Sequence, residues 1–161
     1  MHGYDKLMAQ PGDYGAHYLQ QRIDREIALA KPMGVIVEAA DDSGVVLRAP
    51  LAPNSNHKGT AFGGSLYALG VLAGWAWASR DLAARELDAD AVIQESTMRF
   101  LTPVHGELRA SVEIPAAAAI DKYHRMLARA GRGRIRLRVD LHHGQVLAAV
   151  FDGLFAAATR R

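Results

Sequence analysis

An α+β domain, with an antiparallel sheet curved around one buried helix, is the class this sequence predicts. Three observations carry that prediction. From about Phe62 to Leu87 the pattern is helical and apolar on nearly every side, through Leu66, Leu69, Val71, Leu72, Trp75, Trp77 and Leu82. A helix without a polar face belongs inside a domain. Two later stretches alternate strictly. Glu107, Arg109, Ser111 and Glu113 interleave with Leu108, Ala110, Val112 and Ile114, and Arg134, Arg136, Arg138 and Asp140 with Ile135, Leu137, Val139 and Leu141. Such a period of two, with one wet face, marks an antiparallel sheet. Short or helical links join the consecutive strands of the second half, which favours antiparallel over parallel pairing.

The elements follow in order. Asp13 is placed to cap a first helix whose Leu19, Ile23, Ile27 and Ala30 form a half-buried stripe, and Lys31-Pro32 is expected to end it. Met33 to Ala40 and Val45 to Ala49 read as two strands joined by the turn residues Asp41-Asp42-Ser43-Gly44. Pro50 and Pro53 punctuate a loop, and the buried helix follows. That helix carries Gly63, Gly64, Gly70 and Gly74, each costing roughly 1 kcal/mol of helix propensity relative to alanine. Such a cost implies the close approach of a backbone or a ligand. Ala91 to Leu101 reads as a long strand stopped by Pro103, and Gln145 to Ala156 as the last strand. A short helix over Ala118 to Ala130, with Ile120, Tyr123 and Leu127 on one face, stops at Gly131.

At 161 residues, half of them apolar, the chain fits one domain with a real core. No apolar run is long enough to span a bilayer, and Met1 to Lys6 lacks a signal or lipidation pattern. With no cysteine, disulfides and thiol catalysis are excluded, and a cytoplasmic location is expected. Net charge is only +2, so overall electrostatics select no partner. Locally, Arg125, Arg129, Arg132, Arg134, Arg136 and Arg138 crowd one stretch and Arg160-Arg161 follow. That basic face suits phosphates or an acidic partner, or is a solvated strand face. No aromatic residues interleave with Arg132 to Arg138, which argues against nucleic acid.

Function points to the run from Asn54 to Tyr67, where an amide-rich loop empties into Gly63-Gly64 and the buried helix. A helix start aims unpaired N–H groups at whatever sits in such a loop, including charge developing on a carbonyl oxygen. Other chemistries are dismissed. Tyr67 stands where a nucleophile elbow after Ser65 needs glycine, and Gly59 to Ser65 lacks the lysine of a P-loop. His57, His105, His124 and His142-His143 lack metal-ligand spacing; His142-His143-Gly144 reads as a turn. No metal or cofactor is expected.

The order of elements resembles the hot-dog fold, a sheet wrapped around one central helix. Its thioesterase branches carry an asparagine, a glycine three residues on, then His-Gly-Gly three further on. This chain matches with Asn56, Gly59 and Phe62-Gly63-Gly64, phenylalanine replacing the histidine. More closely, Ala49-Pro50-Leu51-Ala52-Pro53-Asn54 running into Lys58 to Tyr67 is similar to the YiiD C-terminal domain family, labelled as thioesterases and including malonyl-ACP decarboxylases. The resemblance covers Met33 to Ala158, which leaves 1–32 as an N-terminal helical extension of a hot-dog domain at 33–161. It implies a homodimer joined edge to edge, with a dimer of dimers as the larger alternative, acting on acyl-CoA or acyl carrier protein in fatty-acid metabolism, without membrane or nucleic acid. The N–H of Gly63 or Gly64 would receive the thioester oxygen, with Thr60, Phe62 and Ser65 lining the site. Asn56 is the expected catalytic amide and Asn54 its nearest competitor.

One departure bears on the reaction. Many hot-dog thioesterases place a water-activating acid nine residues after that histidine; counting nine on from Phe62 gives Val71. Asp81 lies ten residues farther, about 15 Å away, beyond the reach of a general base. Glu95 is the remaining carboxylate considered. Hydrolysis needs an activated water, whereas decarboxylation of a malonyl thioester needs enolate stabilisation in a poorly hydrated site. Thioester hydrolysis, malonyl-ACP decarboxylation and non-catalytic acyl-CoA binding therefore all stand open at this point.

Overall fold

Residues 12–160 are described by a computed structural model, and the expected order of elements is found there. Helix α1 (Ala16–Glu26) and a short α2 (Ala30–Met33) precede β1 (Ile36–Asp41) and β2 (Gly44–Ala49). A 3-10 turn at Ala52–Asn54 leads to the central α3 (Gly63–Ala84). Then come β3 (Ala89–Phe100), β4 (Leu108–Glu113), α4 (Ala117–Ala130), β5 (Arg132–His143) and β6 (Val146–Thr159). The readings of Met1 to Lys6 and of Arg161 lie outside the described residues.

All six strands form one antiparallel sheet in the order β1-β2-β4-β5-β6-β3. Its inner face closes on α3, whose Leu66, Leu69, Leu72, Ala73, Ala76 and Leu82 are buried. Leu19 and Ile23 of α1 are 0% exposed and belong to that same core. The glycines of α3 have a physical explanation, though neither a backbone nor a ligand supplies it. A methyl on Gly70 would stand 3.0 Å from the Phe151 ring, and one on Gly74 2.5 Å from that of Phe155. The aromatic rings of β6 fill the place of the missing side chains.

Several boundaries differ from expectation. Asp13 Oδ1 accepts from the Gly15 N–H at 3.1 Å, so it orders the approach to α1, while Gly15 itself stands at the N-cap. Helix α1 ends at Glu26, short of Lys31-Pro32, because Ile27 turns to extended backbone. Pro32 sits inside α2, in a first turn where no intrahelical N–H is needed. Gly34, at φ +71°, stops α2 and delays β1 to Ile36. His142 and His143 continue β5, and Gly144 alone, at φ +56°, provides the left-handed turn residue.

Helix α4 covers the far end of the core. Tyr123 and Leu127 lie over Gly133, where a Cβ would meet the Tyr123 ring at 2.9 Å. His124 Nε2 lies 2.9 Å from Asp81 Oδ2, tying α4 to the last turns of α3. Tyr123 is 1% exposed, and its hydroxyl has no partner among the described residues. Burial, reinforced by the Asp81 carboxylate, raises its pKa above the usual phenol value. The native state thus holds this proton more tightly than the unfolded chain does. The resulting stability is intact below the unfolded pKa of about 10 and is lost as pH climbs from there through the higher native value. Urea titrations from pH 8 to 11 should show that loss, and Tyr123→Phe should remove its share of the slope. At pH 7 the same variant should be no less stable than wild type, gaining up to about 1–3 kcal/mol, because an unsatisfied hydroxyl has gone. An unchanged alkaline slope in the variant would contradict this assignment.

Candidate functional site

The loop before α3 is a closed hairpin held by its own side chains. A bridge pairs Ser55 with Ala61, and the Asn56 N–H donates to the Thr60 carbonyl at 2.7 Å. Gly59, at φ +73°, supplies the left-handed residue this turn requires, and its N–H donates to the Asn56 carbonyl. Asn56 Oδ1 accepts the N–H groups of Lys58 (2.9 Å) and Thr60 (3.2 Å), while Nδ2 donates to Thr60 Oγ1 at 2.9 Å. Among the described residues one hydrogen of the Asn56 amide is left uncommitted. The loop is anchored by the Ala61 N–H on the Val104 carbonyl and the Phe62 N–H on the Asn54 carbonyl.

Asn54 is placed differently. It is 1% exposed, and both its amide hydrogens are taken at 2.8 Å, by the carbonyls of Met33 and Pro50. Its side chain locks the loop to the end of α2.

The helix start fulfils the electrostatic requirement. Phe62 is the N-cap residue, in extended backbone, with no side-chain cap and no acid in the first turn. The N–H groups of Ser65 and Leu66 turn back to the Phe62 carbonyl, while those of Gly63 and Gly64 have no partner among the described residues. A helix of 22 residues therefore ends in two free donors and an uncompensated positive dipole end.

Two crevices flank this start. One, of about 300 Å³, is bounded by Thr60, Gly63 and Leu66 on one side and Phe100 to Val104 on the other. The second, of about 310 Å³, runs past Gly64, Ser65 and Phe62 to Asn54, Pro53, Met33, Pro32 and Leu29. The expected site residues are thus divided. Thr60 and Gly63 face one crevice, Phe62, Gly64, Ser65 and Asn54 the other, and Asn56 reaches the first through its bond to Thr60. Every residue lining either crevice is uncharged. Rings shape both glycines. A Cβ on Gly63 would touch Phe100 at 3.4 Å, and the ring of Phe62 lies against Gly64.

The carboxylates considered from sequence lie elsewhere. Val71 is half-buried in α3. Asp81 is held by His124 and by Arg85, at 3.6 Å, at the opposite end of the helix. Glu95 points to the outer face of the sheet, with its Oε2 3.9 Å from Arg136. Ser96, on the inner face, bonds the hydroxyl of Tyr67, and Thr97 is exposed. His57 and Lys58 are exposed. Among the described residues no group of three or more His, Asp or Glu side chains could hold a metal.

The walls contributed by Phe100, Leu101, Leu29 and Met33 were not anticipated. Their sequence signal was faint, being apolar residues at the ends of elements, beside Pro103 and Pro32. Such residues look the same whether they close a core or line a crevice.

A family model described as "Putative thioesterase (yiiD_Cterm)" matches residues 16–159. Among solved structures, a protein of unknown function from Chlorobaculum tepidum TLS is 27% identical, with TM-score 0.85 over 90% of this chain and 94% of that one. A structure titled putative thioesterase, from Shewanella oneidensis, is 28% identical with TM-score 0.80, covering 89% of this chain and 96% of the other. The E. coli PaaI protein, 17% identical with TM-score 0.64 over 94% and 97% of the two chains, is similar in fold alone. The architecture is that of the hot-dog thioesterases.

Proposed function

The chain belongs to the YiiD C-terminal thioesterase family, and from that premise we propose that it is a homodimeric enzyme hydrolysing a small acyl thioester of CoA or acyl carrier protein. The observation that carries this reading is the pair of free N–H groups on Gly63 and Gly64, at an uncapped helix start between two uncharged crevices. Preorganised donors stabilise an oxyanion strongly, because they need no reorganisation as charge develops. Of the two asparagines, Asn56 keeps a free amide hydrogen and stands as the catalytic amide. Asn54 has none to offer and stands as the loop's anchor.

What supports the dimer is how the two sheet edges are treated. The β1 edge is covered, because Gln20 of α1 accepts the Val37 N–H at 2.7 Å and donates to the Val35 carbonyl. Strand β3, twelve residues long, pairs only with β6 and leaves Val92, 59% exposed, and Phe100, 57% exposed, along its length. A long open edge with apolar side chains invites a strand from another copy. Two copies joined there place a second chain beside each helix start.

A second reading has its own observation. No ionisable side chain lines either crevice, so within one chain nothing activates a water. A malonyl thioester would need none, since loss of CO2 leaves an enolate whose oxygen the same donors hold. One experiment separates the readings: purified protein with malonyl-CoA, malonyl-ACP and short acyl-CoAs, following CO2 and free thiol independently. Hydrolysis releases thiol without CO2. CO2 with the thioester intact would replace it by decarboxylation. Ligand affinity without either product would leave a binding protein.

A further inference from the structure

The two crevices beside the helix start differ in chemistry. The first includes the hydroxyl residues Thr60 and Thr102, and Asn56 reaches it through Thr60. The second is a slot of about 310 Å³ whose lining is apolar but for Asn54 and Ser65. Both amide hydrogens of Asn54 go to carbonyls, and its Oδ1 is buried, so that side chain offers the slot no donor. Leu29, Pro32 and Met33 enter the lining from α2 and the residue before it, Phe62 and Ala68 from the start of α3. Leu29 and Phe62 are 57% and 56% exposed. Two large apolar side chains left in water along one uncharged slot mark a surface that gains by being covered.

The walls of the slot are set by the fold. Asn54 Nδ2 donates to the carbonyls of Met33 and Pro50, both at 2.8 Å, which fixes α2 against the loop leading into α3. Gly34, at φ +71°, turns the chain out of α2 with Pro50 so close that a Cβ there would stand 3.0 Å from the proline ring. A slot already formed before a ligand arrives loses little on binding one. Gly64, whose N–H has no partner among the described residues, belongs to the same lining. A thioester oxygen on that N–H therefore sets the adjoining acyl carbons at the slot.

A thioester has two arms, and polar groups line only the first crevice in number. We infer that the slot between α2 and the start of α3 holds the hydrocarbon tail of the acyl group, and that the preferred substrate carries an unbranched chain of about six to eight carbons. At roughly 30 Å³ for each methylene, close to a water's share of liquid volume, about 310 Å³ would take about ten; one open side leaves fewer of them buried. Leu29 and Pro32, ahead of the domain start expected at residue 33, thereby become residues that select substrate. Helix α2 leads into β1, which lies at the opposite end of the sheet from β3, so the slot is complete within one chain. The inference rests on the thioester reading and not on the dimer.

The test is a chain-length profile. With straight-chain acyl-CoAs, kcat/KM of the wild type should rise about two- to fourfold per methylene from butyryl-CoA to octanoyl-CoA and then level off, as apolar surface leaves water. Ala68→Leu puts a side chain that leans toward the helix start into the slot. It should lower the octanoyl-to-butyryl ratio of kcat/KM about 10–100-fold, the selectivity that about four lost methylene contacts carry. Leu29→Ser changes an exposed position and so spares the core; it should lower the same ratio about 3–10-fold. Titration calorimetry with octanoyl-CoA and butyryl-CoA reads that preference as affinity, independently of turnover. Turnover indifferent to chain length, or a preference for the longer chain that either variant retains in full, would overturn the slot and leave hydrolysis standing. Turnover of malonyl-CoA alone would overturn it too. Affinity that grows with chain length and is lost in both variants, without turnover of any thioester, would keep the slot and remove the hydrolytic reading. Neither binding nor cleavage of any of these would overturn both.

Discussion

Replacing Asn56 by aspartate is expected to lower turnover about 10²–10³-fold, the usual loss when one oxyanion donor is removed, while the loop stays folded. The choice of aspartate matters. A carboxylate oxygen still accepts the N–H groups of Lys58 and Thr60, and the Thr60 hydroxyl turns to donate to the other oxygen. What disappears is the amide donor, and what arrives is a negative charge beside Thr60 in the wall of the first crevice. Asn56→Ala removes both functions, so it should add a loss of stability of about 1–3 kcal/mol from two orphaned backbone N–H groups. Kinetics and thermal unfolding of the two variants together separate holding the loop from donating to substrate. Wild-type turnover in Asn56→Asp would take the amide out of the chemistry and leave it as a turn former. Asn54→Asp would then be informative for the opposite reason. Both amide hydrogens of Asn54 are spent on carbonyls, so a carboxylate there would meet two acceptors and should unfold the loop.

In the proposed homodimer, Phe100→Glu is expected to separate the two copies and to lower turnover with it. Phe100 is more than half exposed in the single chain, at the open edge of β3 and against Gly63. Burying a phenylalanine side chain contributes about 1.5–3 kcal/mol, and twofold symmetry counts it twice. Losing about 3–6 kcal/mol weakens association by roughly 10²–10⁴-fold, before the added desolvation of two carboxylates. The monomer should keep its circular dichroism, because the replaced ring lies outside the buried core. Light scattering across a dilution series reads the mass directly. A dimer that survives the substitution would place the interface somewhere other than this edge.

The residues told a great deal about the architecture because its determinants are local or periodic. An all-apolar helix, two strict alternations and glycine punctuation at Gly131 and Gly144 each express a rule that acts within a few residues. The loop-to-helix junction was legible for the same reason, since Asn56, Gly59 and the Gly63-Gly64 pair need only their neighbours to form a turn and an uncapped helix start. Even the missing acid at Val71 could be counted directly along the chain.

Contacts between distant segments were another matter. The resemblance ranks Asn56 ahead of Asn54, but the physical difference between them arises only because Met33, 21 residues away, brings a carbonyl to Asn54. The close neighbours of Gly70 and Gly74 turned out to be rings from β6, some eighty residues later in the chain. Among the described residues Arg132 and Arg134 have no carboxylate partner while Arg136 and Arg138 are engaged, because sheet register, which no single strand specifies, decides which carboxylates stand alongside. Periodicity and turn chemistry set which elements form; which side chains remain available for binding and chemistry was decided only when the sheet closed around α3.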